Sequence, residues 1–133
     1  MELRNIKITA HAILRYCQRV VSSFKNIELL EEEKKKDFFY SVEEEIKKEL
    51  YCSDTKWIPM KELPTELLLH LSLRALPGGW VAFNSETGVL FKIHFDRKNK
   101  VYIVVSVDKV DGALRDALSE LISERGKQLI FDL

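Results

Sequence analysis

The sequence predicts an α+β domain in which N-terminal helices pack on an antiparallel β-meander and a C-terminal helix follows. Three observations carry that expectation. Residues 10–50 space their apolar side chains as helices do, residues 80–107 hold β-branched and aromatic runs separated by turn formers, and residues 111–126 return to helical spacing. The 133 residues, 46% of them hydrophobic, suit a single domain that buries roughly two thirds of its unfolded surface.

Ile6 and Ile8 flank Lys7 as in a short strand or the approach to a helix. Thr9 then offers an N-cap to a helix running from Ala10 to about Phe24, closed by Ser22-Ser23 and Asn26. Ile13, Cys17, Val20, Val21 and Phe24 cluster on its core face. His11, Arg15 and Arg19 recur every fourth residue on the other side. At about 100° per residue they drift only about 80° and form a ladder of donors about 12 Å long. A ladder that faces away from the core is expected to tolerate alanine with a stability change of roughly 0.5 kcal/mol or less.

Residues 27–52 form the second helix. Glu31 with Lys35, Glu32 with Lys36, Glu43 with Lys47 and Glu44 with Lys48 are i,i+4 pairs in the favourable order, and Phe38, Phe39, Val42, Ile46 and Leu50 make the docking stripe. Residues 53–65 read as irregular around Pro59 and Pro64. The leucine-rich stretch 67–76 fits both periods, and the alternation of Leu69, Leu71 and Leu73 with His70, Ser72 and Arg74 tips it towards strand. Pro77-Gly78-Gly79 is a turn.

Three strands follow, over Trp80–Phe83, Val89–Phe95 and Val101–Val107, with Asn84 to Gly88 turning between the first two. Val89, Phe91, Ile93 and Phe95 share one face, as do Val101, Ile103, Val105 and Val107. Pairing Phe95 with Val101 brings both faces to the core, leaves Arg97-Lys98-Asn99 as the loop with Asn99 left-handed, and sets His94 across from Tyr102 beside Lys92 and Ser106. Asp111 caps the last helix, whose stripe is Leu114, Ala117, Leu118, Leu121 and Ile122, and Gly126 ends it. The tail Leu129-Ile130-Phe131-Asp132-Leu133 is apolar enough to dock on its own fold or on a partner.

Charge is balanced, with 21 basic and 21 acidic side chains, so nucleic-acid binding has no global electrostatic basis. Its distribution is uneven: residues 1–27 carry a net +4 and residues 28–54 a net −5. No apolar run approaches the ~20 residues of a membrane span, and Met1-Glu2-Leu3-Arg4 has no signal-peptide core, so a cytoplasmic protein without membrane contact is expected. Cys17 and Cys52 read as free, packed thiols.

No phosphate loop, nucleophile elbow or metal-ligand spacing occurs, so no cofactor or metal is expected. What remains is acid and base chemistry from His11, His94, Tyr102 and Lys92, with Arg15 and Arg19 holding an anion or RNA. Transesterification of a phosphodiester needs those parts: a base, an acid and fixed cations. The segment Ile8-Thr9-Ala10-His11-Ala12 with Arg15 and Arg19, together with Gly88-Val89-Leu90-Phe91-Lys92 and Tyr102-Ile103-Val104-Val105, resembles the small RelE/BrnT-like toxin superfamily and related phage-encoded proteins. The resemblance implies a toxin-like, metal-independent endoribonuclease acting on RNA or the ribosome, with helices on one side of a β-meander and an antitoxin or host protein as partner. The rival reading is a non-catalytic phage or mobile-element protein that binds and inhibits a host protein, and a third is a purely structural subunit.

Overall fold

Turn formers and β-branched runs alternate through residues 79–109, and they fold as the expected meander: β3 (Gly79–Asn84), β4 (Val89–Asp96) and β5 (Val101–Lys109). The computed structural model describes residues 5–21, 32–74 and 77–128. Among these, the meander sits inside a six-stranded sheet of order β1-β5-β4-β3-β2-β6. The added strands are β1 (Ile6–Ile8), parallel to β5, with β2 (Thr55–Pro59) and β6 (Lys127–Gln128), both antiparallel to their neighbours. Strand β2 falls where irregular chain was expected. Its Trp57 and Ile58 are fully buried on opposite faces, so no alternation marks it. Pro59 is tolerated because β6 pairs only with Lys56 and Trp57, leaving the outer edge at Pro59 without a ladder.

Helices α1 (Ala10–Tyr16) and α2 (Glu32–Leu50) cover one face, while α3 (Thr65–His70) and α4 (Gly112–Arg125) lie on the other. The class is α+β, as expected, but the helices occupy both sides of the sheet. Ala12, Ile13, Tyr16, Cys17, Val42, Ile46 and Leu50 bury against Trp57, Phe91, Ile93 and Val104 in one core. Leu118, Ile122 and Leu71 bury against Val81, Phe83 and Leu90 in the other. None of the helices described is long and apolar enough to cross a membrane.

Three local expectations change. The first helix is α-helical only to Tyr16 and continues as a π-helix over Cys17–Val21; its foreseen end at Phe24, Ser22-Ser23 and Asn26 lies outside the described residues, as does the apolar tail 129–133. Thr9 does cap it, accepting the Ala12 N–H at 3.0 Å. Residues 65–70 are helix rather than strand, because leucine's helical preference is reinforced when the Leu71 and Leu73 N–H groups donate back to Leu67 and Leu68 carbonyls. Ser72, left-handed at φ 54°, then breaks any strand. The β4–β5 register also differs. Phe95 faces Tyr102 and Asp96 faces Val101, so the loop has four residues, with Lys100 rather than Asn99 left-handed at φ 52°. The Asp96 carboxylate fixes that loop by accepting from Lys98 N, Asn99 N and Asn99 Nδ2 at 3.0, 3.3 and 2.8 Å. Between Ile93↔Val104 and Lys92↔Ser106 the ladder shifts by one, leaving Val105 as a bulge, 39% exposed. The core face of β5 is therefore Tyr102, Val104 and Val107.

Candidate nucleic-acid interface

The corrected register creates the site. With Phe95 opposite Tyr102, the two rings stand 4.6 Å apart, and Trp80 on β3 closes edge-on against Tyr102 at 6.1 Å. Behind them the buried Trp57 indole meets Tyr102 at 5.5 Å and Trp80 at 6.4 Å. Trp80, Phe95 and Tyr102 are each half-buried and line a cleft of about 570 Å³ at one end of the sheet. Two cations stand on it, Lys61 from the 3-10 turn Met60–Glu62 and Arg97 from the loop that Asp96 holds. Lys98 and Lys100 are exposed on the same loop.

Backbone chemistry shapes the wall. Gly78 has φ +78°, and a Cβ there would press on the Phe95 carbonyl at 3.0 Å, so glycine lets the Pro77-Gly78 turn lie against β4. The Gly78 carbonyl accepts the Phe95 N–H at 2.7 Å, which locks turn and strand together. Burial raises the Tyr102 phenol above its ordinary range, so it stays protonated near neutral pH and serves as a hydrogen-bond donor. The loop's hydrogen bonds to Asp96, with Asn99 foremost, hold that carboxyl below its usual value, so it remains ionised and keeps the turn closed. Trp57 Nε1 is the buried side-chain polar atom without a hydrogen-bond partner among the described residues, a cost of about 1–3 kcal/mol that the aromatic cluster carries.

Of the residues singled out from sequence, Tyr102 lines this cleft and the others do not. His11 is exposed on α1, and Arg15 donates to Gln18 Oε1 at 3.0 Å. Arg19 falls in the π-helical turn, whose wider winding takes it off the ladder. Its guanidinium donates to the Val107 carbonyl at 2.8 Å and lies 3.6 Å from Asp108. Val107 is five residues along β5 from Tyr102, about 16 Å. Lys92 pairs with Val81 and Ser106 and points to the α3–α4 face, opposite the face that α1 covers. His94 lies on that same face, exposed, with Cε1 3.5 Å from where a Gly78 Cβ would stand. The sheet thus separates His94 and Lys92 from His11, Arg15 and Arg19, and the expected His94–Tyr102 apposition is replaced by Phe95–Tyr102.

The residues that sequence reasoning passed over are Trp80, Phe95, Lys61 and Arg97. Their signal was present as Trp80 following the Pro-Gly-Gly turn and Phe95 two residues before Arg97 in a basic hairpin loop, but only the strand register brings them together with Lys61. A protonated phenol, edge-on and tilted aromatic rings and two exposed cations suit a planar ring carrying an anion. The RelE/BrnT-like resemblance stands on its short motifs alone: compared with protein-family models, curated proteins and solved structures, the chain matches none.

Proposed function

We propose that the chain is a cytoplasmic RNA-binding domain of the kind its RelE/BrnT-like resemblance implies, and that single-stranded RNA enters the aromatic cleft. The carrying observation is the Trp80–Tyr102–Phe95 cluster with Lys61 and Arg97 on the same cleft. An unpaired base stacks on the half-buried rings, where base–aromatic stacking contributes about 1–3 kcal/mol per base. The flanking phosphates meet Lys61 and Arg97, and the Tyr102 hydroxyl donates to a base edge or phosphate oxygen. In this reading endoribonucleolytic cleavage falls to Tyr102 in the cleft, while His94 and Lys92 on the opposite sheet face, and His11, Arg15 and Arg19, take no part in it.

The test is titration of a labelled oligouridine, followed by fluorescence anisotropy. Lys61→Ala with Arg97→Ala is expected to weaken binding by about tenfold and to flatten the dependence of log affinity on log salt by about 0.7 per lost phosphate contact. Both positions are exposed, so folding should be unaffected. Trp80 is one of only two tryptophans, and stacking should quench its fluorescence on RNA addition. Unchanged affinity in the double variant would remove the cleft from RNA binding. Incubation of the same RNA with EDTA then asks whether binding proceeds to cleavage and whether Tyr102→Phe abolishes it.

A further inference from the structure

The opposite sheet face carries a second surface of different character. Between α3 and α4 runs a groove of about 550 Å³ floored by Leu67, Leu114 and Ala117, and it continues along α4 past Leu121. Its charged rim has one sign: Glu66 comes from α3, and Glu120 and Glu124 come from α4. His70 is the one side chain along the groove, among the described residues, able to carry positive charge. Leu69, also on α3, has 74% of its surface in water.

We propose that this groove docks an amphipathic helix of a partner protein, with the helix's apolar stripe on the leucine floor and its lysines or arginines against Glu66, Glu120 and Glu124. An exposed apolar trough is the complement of one helix face. The acidic rim selects for basic flanks and against acidic ones through charge apposition. The 14 residues of α4 give a wall of about 21 Å, enough for about four turns of a docked helix. A second copy of the chain is a poor occupant. On α1 and α2 the core-facing residues, Ala12, Ile13 and Tyr16 with Val42, Ile46 and Leu50, are already buried in their own core. The inference is independent of RNA binding, because the aromatic cleft belongs to the other face of the sheet and has the opposite charge.

The probe is a labelled model helix of about five turns, with leucines on one face and lysines on the other, beside a counterpart carrying glutamates for lysines. Both are titrated into the full chain. The lysine peptide should bind saturably at one site and the glutamate peptide should not. Ala117→Arg fills the floor at an exposed position, and Glu120→Lys with Glu124→Lys reverses the rim. Each should weaken the lysine peptide at least tenfold, while Asp37→Lys with Glu44→Lys on α2 should leave it unchanged. If Ala117→Arg unfolds the chain, the exposed rim pair decides the matter. Equal binding of both peptides, no saturable binding, or equal loss in the α2 and rim variants would overturn the assignment.

Discussion

Arg19 shows how one side chain changes meaning between sequence and structure. Spacing alone sets it in an outward ladder with His11 and Arg15, where alanine should cost almost nothing. In the fold its guanidinium spans from the π-helical turn to the Val107 carbonyl at 2.8 Å, a charge-assisted bond between the first helical segment and β5. With a third of the side chain still in water, Arg19→Ala is expected to lower stability by about 1 kcal/mol, less than a buried charged hydrogen bond contributes. His11→Ala should stay within roughly 0.5 kcal/mol of the parent. Urea midpoints of the two variants measure the contrast, and equal midpoints would restore the ladder as a purely solvent-facing row. Cysteine differs in the same way: Cys17 is fully buried and its thiol is pushed up by burial, whereas Cys52 is only half-buried, with Sγ 3.9 Å from Asp54 Oδ2.

At the level of elements, the leucine-rich connection offers the sharpest test. Ser72 holds φ 54° two residues past the end of α3, a conformation that costs a non-glycine residue about 1 kcal/mol. Ser72→Gly should therefore raise the thermal midpoint, by roughly 0.5–1 kcal/mol of stability, and a fall would mean that the serine side chain is needed there. The same connection explains what the sequence could and could not disclose. Thr9 was readable as a cap, α2 by its apolar stripe against a charged face, and the extents of the three meander strands by the turn formers that bound their apolar runs. Strands β2 and β5 lie between helical layers, so Trp57 beside Ile58, and Val101 to Val105 without a break, carry no parity. The bulge at Val105 then switched which residues share a face, and with it the partner of Tyr102. The aromatic cleft depended on that register, which is why Tyr102 could be singled out from sequence while Trp80, Phe95 and Arg97 could not.

Across the whole molecule, Glu49 joins four segments. The Tyr16 hydroxyl from α1 donates to its Oε2 at 3.0 Å, the Thr87 hydroxyl from the β3–β4 turn donates to Oε1 at 3.1 Å, and its backbone carbonyl accepts from Thr55 at the start of β2 at 2.8 Å. Burial raises the Glu49 carboxyl above its ordinary value, outweighing the two hydroxyl donors that favour the anion; the neighbouring Glu45 adds to the rise. Tyr16 is raised as well, chiefly by burial and then by Glu49, so it remains the donor across the accessible range. A folded pKa above the unfolded one means that the folded state holds the proton more tightly. The associated stability is complete below the ordinary carboxylate value and is lost as pH rises through the elevated one. Denaturant midpoints should therefore fall as pH climbs from the ordinary carboxylate range through the raised Glu49 value, and Glu49→Gln, which keeps the shape without the charge, should flatten that part of the profile. Asp96 acts in the opposite sense and at lower pH, since its depressed value gives stability that is lost on acidification. A slope unchanged in Glu49→Gln would mean that another group carries the pH dependence and that the Tyr16–Glu49–Thr87 junction contributes through its hydrogen bonds alone.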